Sequence, residues 1–371
     1  MITNRVLGII FANTHDAMLG ELTVQRSMGS VPFGGRYRLI DFPLSNLSNG
    51  GVGKVGIITK SNYYSLMTHI GNGKPWDLDR KIGGLSILPP YASADAQIYK
   101  GKLEALFGIL EYLIESTEDY VVLCDADVVA NINIKALLKH HKESLADITI
   151  AYTKGKKPQG QRDSMSFSFD ENGRITEVNF DDNVEEDCNY SLDTMVIGRE
   201  LLIGIVTNEM RKGNVSLSHG IFAEGCEKFA IYGFKHEGFA AVMDGIKGYY
   251  DANISLLDAQ VRKELFNTEN PIYTKSRGDM PVRYGIDAQV KNSLVADGCI
   301  IEGSVKNSIL FRGVKVGKGT VVENCILMES TEVGKDCKVL NLITDRNVTI
   351  SDNKNVDGKA DKYYIKMKEK I

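Results

Sequence analysis

Asn292-Ser293-Leu294-Val295, Asn307-Ser308-Ile309-Leu310, Asn324-Cys325-Ile326-Leu327 and Asn341-Leu342-Ile343 recur at offsets of 15, 17 and 17 residues. A second series, Val316, Val333 and Ile350, keeps offsets of 17 and 17, with glycine after the first two. Short apolar elements, small residues and a period of about 18 predict a parallel β-helix built from six-residue edges. One coil cannot bury its own inside, so coils must stack. Lys362-Tyr363-Tyr364-Ile365 is expected to cap the open end. Some helices of this kind form acyltransferases around a catalytic histidine. No histidine follows His236, which leaves a structural role or the binding of a partner or effector.

Upstream of the repeat, Pro271, Gly278 and Pro281 mark residues 265–285 as a linker. Before the linker the pattern changes to alternating strands and helices. Val6-Leu7-Gly8-Ile9-Ile10-Phe11 is continuously apolar, as expected of a strand buried on both faces of a parallel sheet. Val55–Thr59 and Tyr120–Cys124 read the same way. Leu103 to Ile114 and Gly245 to about Glu264 carry a helical period, and Glu200 to Lys212 is a further helix. His140-His141 suits the negative end of a helix, and Lys154-Gly155-Lys156-Lys157-Pro158 reads as a solvated basic turn. The fold expected is an α/β sandwich over 1–264, a linker over 265–285 and a β-helix over 286–371.

Asp125-Ala126-Asp127 follows the third strand, and a carboxylate there is where open α/β sheets hold ligands and metals. A capped turn would explain the pair equally well. Ala12-Asn13-Thr14-His15-Asp16-Ala17-Met18-Leu19 sits where a phosphate loop belongs. It offers no glycine before Gly20 and no lysine or arginine, so a phosphate there lacks close backbone approach and a counter-charge.

A length of 371 residues makes two domains the natural expectation. The formal charge of −4 argues against nucleic acid held by bulk electrostatics. No apolar run approaches the roughly 20 residues of a membrane span. The six cysteines are dispersed, with no CxxC pair and no histidines at zinc spacing. With no evident signal peptide, a reducing cytoplasm is expected.

In Pro32-Phe33-Gly34-Gly35-Arg36-Tyr37-Arg38-Leu39-Ile40-Asp41-Phe42-Pro43-Leu44-Ser45-Asn46, the paired glycines suit a tight turn or a close ligand approach. Leu39, Ile40 and Phe42 should bury, and Asp41 among them needs a partner. Pro43 should break the run, with Ser45 or Asn46 capping a following helix. This block, Tyr99-Lys100-Gly101 before Glu104-Ala105, Tyr249-Tyr250-Asp251-Ala252-Asn253 and the coil repeats resemble the bacterial glucose-1-phosphate adenylyltransferases (ADP-glucose pyrophosphorylases). The resemblance covers nearly the whole chain and is greatest to the non-catalytic or regulatory class called GlgD. It implies a Rossmann-like nucleotidyltransferase domain followed by a left-handed β-helix of hexapeptide repeats.

The family reaction joins ATP and glucose 1-phosphate into ADP-glucose and pyrophosphate, with Mg²⁺ and basic side chains neutralising charge. The family's nucleotide loop, Ala-Gly-Gly-x-Gly-x-Arg-Leu followed by Leu-Thr-x-x-Arg-x-Lys-Pro, keeps Ala12, Leu19, Leu22, Thr23 and Arg26 here. Its paired glycines fall on Asn13 and Thr14, its third on Asp16, its arginine on Met18 and its lysine-proline on Met28-Gly29. The first metal carboxylate matches Asp127, or falls on Ala126 in a register shifted by one. The second falls on Val242, with Asp244 two places on, and the sugar-phosphate lysine is missing near Asn179-Phe180-Asp181.

The resemblance therefore implies a regulatory, catalytically weak or inactive subunit in glycogen synthesis, with Mg²⁺ not productively bound. Tyr99, Gly101 and Asp127 would line a substrate-like pocket, and Arg36 and Arg38 would bind a sugar-phosphate or nucleotide effector. Structural ion pairing of the two arginines is the plain alternative. The expected partner is a catalytic subunit of glucose-1-phosphate adenylyltransferase in a hetero-oligomer, by family precedent a tetramer. The rivals are an active adenylyltransferase with a rearranged loop and a free-standing sugar-phosphate sensor.

Overall fold

A computed structural model describes residues 6–90, 99–159, 164–181, 187–222 and 226–358. Nine strands form the amino-terminal sheet: β1 (Val6–Phe11), β2 (Lys54–Ile58), β3 (Gly84–Leu88), β4 (Tyr120–Asp125), β5 (Ile148–Lys156), β6 (Ser166–Phe169), β7 (Ile175–Asn179), β8 (Asp187–Gly198) and β9 (Ile231–Lys235). The main path runs β3-β2-β1-β4-β8-β5-β9, and only β8 is antiparallel to its neighbours. The β6–β7 hairpin joins the long β8 at Tyr190, beyond the part of β8 that pairs with β4. Two apolar clusters, one on each face, bury β1 completely. That two-sided burial is why its six residues are all apolar or glycine.

β1 pairs with β2 on one side and β4 on the other, so the connections leaving its carboxyl end and that of β4 diverge and open a crevice. A short antiparallel ribbon, Val128–Ala130 with Ala240–Val242, closes one side of that crevice.

The carboxyl-terminal strands stack as three parallel ladders of five, five and four strands, forming a left-handed parallel β-helix. Each edge has two or three residues, so one side chain turns in and its neighbour turns out. Leu310 and Leu327 fill the coil interior, whereas Ile309 and Ile326 join a cluster shared with Leu19, Phe33, Tyr249 and Leu256 of the α/β domain. Buried Arg26 reaches across the same seam to Asp345, with bonds of 2.7 and 3.0 Å.

Four local expectations need correction. The Leu103–Ile114 helix is two, Lys102–Gly108 and Leu110–Glu115, broken at Ile109 (φ −113°, ψ 20°). The helix expected from Gly245 is also two, Ile246–Ser255 and Ala259–Leu265, with Asp258 capping the second through the Gln260 N–H. The run at Pro43 does not end: the helix is Asp41–Asn49, where the proline occupies the first turn and loses no hydrogen bond. Lys154–Lys156 continues β5, and Lys157 is buried with its ammonium on the carbonyls of Asn179 and Asp181. The expected cap, Lys362 to Ile365, lies outside the described residues.

All six cysteines are free thiols, four of them buried. No helix among the described residues is long and apolar enough to cross a membrane.

Candidate functional site

Two places concentrate charge: the crevice at the carboxyl ends of β1 and β4, and the seam between the domains. In the crevice β4 ends at Asp125, and the Ala126 N–H bonds Phe11 O, holding the two strand ends together. Asp127 follows, with its carbonyl accepting from the Met243 N–H at 2.9 Å. Val242 is buried in the ribbon opposite Val128, which brings this position beside Asp127.

His15 Nδ1 lies 2.6 Å from Asp127 Oδ2 and 3.7 Å from Asp125 Oδ2. Lys102, the first residue of its helix, places Nζ 2.7 Å from Asp125 Oδ2 and 3.3 Å from Asp193 Oδ1. Asp193 sits at a register shift in β8 with φ of +46°, a bulge that re-aims its side chain toward the lysine. Burial alone would push the His15 imidazole down, but Asp127 and Asp125 more than reverse this, to about 9. Lys102 is likewise held charged by Asp125 and Asp193 against its burial. Burial also raises the Asp125 carboxyl, which the lysine opposes, while His15 draws Asp127 below the usual carboxylate range despite its burial. His15, Asp125 and Asp127 thus present potential ligand atoms within 4.8 Å of one another.

The loop from β1 is organised by Asp16. Its carboxylate accepts from the Met28 N–H at 2.7 Å and from Asn13 Nδ2 at 2.8 Å, and burial lifts its pKa to about 6. Asn13 is buried and also ties the loop to Ser61 O and the Lys60 N–H. Thr14 and Met18 are half-buried, the latter against the interdomain cluster, and the Met28 side chain is fully buried in that cluster. Tyr99 is half-buried under the Lys60 ammonium, 5.7 Å from its ring centre, and burial raises its phenol well above the usual range. A Cβ on Gly101 would stand 2.3 Å from Val215 O, so packing alone requires a glycine there.

At the seam, Gly34 and Gly35 form the expected turn with φ of +59° and +84°. The Gly34 N–H donates to Asn253, and the Tyr249 hydroxyl to Pro32 O, so the Tyr249–Asn253 stretch holds this turn against the β-helix. Asp41 finds its partners in His69 Nε2 at 2.6 Å and the Arg38 N–H at 3.0 Å.

Arg36 and Arg38 open into a cavity of about 240 Å³ together with Lys275, Arg277, Arg312 and Arg346. Glu329 lines the same cavity, and Asp279 meets Arg312 at 3.4 Å. Cations outnumber carboxylates. Arg36 is exposed, and Arg38 spends part of its hydrogen-bonding capacity on Ser65. Burial and neighbouring arginines lower the pKa of Arg38, to about 10, and that of Arg312 and Arg346. Such a concentration of like charge favours a bound anion.

The sequence reading missed His15, Lys102 and Asp193 as crevice residues, and the four further cations of the seam. Arg312, Glu329 and Arg346 stand 17 residues apart, which is the coil period, so the repeat already placed them on one corner. Nothing local marked Lys275 or Arg277.

The fold and crevice together define a nucleotidyltransferase carrying a hexapeptide β-helix. Family models agree: "Nucleotidyl transferase" matches residues 7–176, and "GlmU-like, C-terminal hexapeptide" matches 282–370. The chain is 36% identical to the glycogen biosynthesis protein GlgD of Bacillus subtilis over 97% of its own length and 95% of that protein. It is 33% identical to the GlgD protein of Geobacillus stearothermophilus over 86% of its length, and 33% identical to the glucose-1-phosphate adenylyltransferase of Clostridium botulinum over 87%. The chain belongs to the glucose-1-phosphate adenylyltransferase family, which includes the GlgD proteins.

Proposed function

We propose that this chain is a regulatory subunit of glucose-1-phosphate adenylyltransferase in glycogen synthesis, with little or no turnover of its own. The observation that carries this reading is the loop after β1. Where the resemblance expects glycines and an arginine it has Asn13, Thr14, Asp16 and Met18, and Asp16 already takes a backbone donor of that loop. Met28 replaces the family lysine and Val242 the second carboxylate. Each such loss commonly costs about 10²-fold or more in rate.

Mg²⁺ does not fit the crevice as it stands. It prefers oxygen ligands in near-octahedral geometry and keeps several waters. Asp127 meets an imidazole nitrogen, Asp125 an ammonium, and the second carboxylate is absent. The arginine-lined cavity is the effector site on this reading, taking a sugar phosphate or a nucleotide through Arg36, Arg38 and the cations around them. A catalytic subunit of the same fold is the partner, within a hetero-oligomer.

ADP-glucose synthesis tests the proposal when measured with Mg²⁺ for this chain alone, for a catalytic partner alone and for the two mixed. No product from the chain alone and a raised or effector-shifted rate in the mixture is expected. Substantial product from the chain alone overturns the reading.

A further inference from the structure

The crevice is more than depleted, because its carboxylates and one backbone donor of its loop are already engaged by this chain's own side chains. Asp127 Oδ2 lies 2.6 Å from His15 Nδ1, and Asp125 Oδ2 lies 2.7 Å from Lys102 Nζ. The two aspartates are each 2% exposed at the side chain, against 9% for His15 and 11% for Lys102, so solvent hardly enters. Lys102 reaches on to Asp193 at the β8 bulge, which fixes the ammonium from a second side. Asp16 supplies the opposite charge nearby, accepting the Met28 N–H at 2.7 Å and Asn13 Nδ2 at 2.8 Å.

Resting on the regulatory reading above, we infer that this crevice is filled from within the chain. His15 occupies the place beside Asp127 that the family resemblance gives to a divalent cation, Lys102 holds the neighbouring Asp125, and Asp16 takes the Met28 N–H. Buried carboxylates without partners are costly, so a crevice that had merely lost its metal would tend to unfold or recruit solvent. With internal partners the loop is ordered before any ligand arrives. The subunit then presents one fixed conformation of this region to its partner, whatever the Mg²⁺ or nucleotide level.

The probes are Mg²⁺ and Mn²⁺ added to the full chain. In protein labelled at histidine, the His15 ring resonances and the melting temperature are expected to stay unchanged when Mg²⁺ is raised to millimolar levels. The His15→Gly variant removes the imidazole from Asp127 and should bind Mn²⁺, read by water-proton relaxation, at least about tenfold more tightly than the parent chain. Movement of the His15 resonances with Mg²⁺, or tight Mn²⁺ binding by the parent chain that Asp127→Asn abolishes, overturns the inference. So does a folded His15→Gly variant, by circular dichroism, with no gain in Mn²⁺ affinity. Should that variant not fold, the histidine resonances of the parent chain decide alone. Asp127-dependent metal binding by the parent chain without ADP-glucose formation defeats this inference and leaves the regulatory reading standing. ADP-glucose formation by the chain alone defeats that reading instead.

Discussion

His141 is a buried histidine with a neutral task. Its Nδ1 meets Thr149 Oγ1 at 2.8 Å, and its ring stands edge-on to Tyr120. Burial is the main cause that lowers its pKa from the usual 6.5 to about 4. The unfolded chain takes a proton near pH 6.5 that the folded chain refuses until about pH 4. The stability this residue protects is therefore complete above pH 6.5 and lost as pH falls toward 4. Urea midpoints followed across that window should fall for the parent chain and fall less steeply for His141→Gln. Equal slopes would show that the imidazole stays accessible to protons in the folded state. The sequence placed His141 at a helix end without a metal, and the helix is Ile134–Glu143. It gave no hint that the ring turns inward, because the contact with Thr149 crosses between two elements.

The β-helix was the most legible element, since each coil repeats its neighbour and errors of register would be visible. The recurring asparagines mark more than a repeat. Asn292, Asn307, Asn324 and Asn341 all have φ between 46° and 54°, the left-handed corner that other side chains avoid. Their side chains bond in pairs, Asn292 Nδ2 donating to Asn307 Oδ1 at 2.8 Å and Asn324 Nδ2 to Asn341 Oδ1 at 3.1 Å. Replacing Asn324 by alanine adds left-handed strain and removes that bond, at a total of about 2 kcal/mol. Asn324→Gly loses the bond without the strain and should cost about half as much. Denaturant midpoints of the two variants measure the difference, and equal losses would refute a backbone origin. The crevice was less legible for the opposite reason. Lys102 and Asp193 meet only because a bulge in β8 turns Asp193 toward the helix, and irregularities of this sort carry no periodic signal.

At the scale of the whole molecule, an apolar cluster and a buried ion pair join the two domains among the described residues. Arg26 and Asp345 are 3% and 1% exposed, and their bonds of 2.7 and 3.0 Å to one guanidinium nitrogen close over the cluster. Arg26 lies within the loop that Asp16 closes onto the Met28 N–H, while Asp345 precedes Arg346 of the cationic cavity. One contact thus lies between the cationic cavity and the crevice. A buried pair gains little over a well-packed apolar pair, but breaking it strands a charge. Asp345→Ala should therefore destabilise the chain by about 3–5 kcal/mol, with Arg26 left unpaired at the seam. Arg26→Met combined with Asp345→Leu should recover most of that loss, since neither charge remains to be desolvated. Calorimetry adds a second reading. The parent chain should unfold in a single transition because the cluster spans both domains, and Asp345→Ala should separate the β-helix from the α/β domain into two. A single transition with an unchanged midpoint in Asp345→Ala would mean that apolar contact alone joins the domains and that Arg26 finds solvent when its partner is removed.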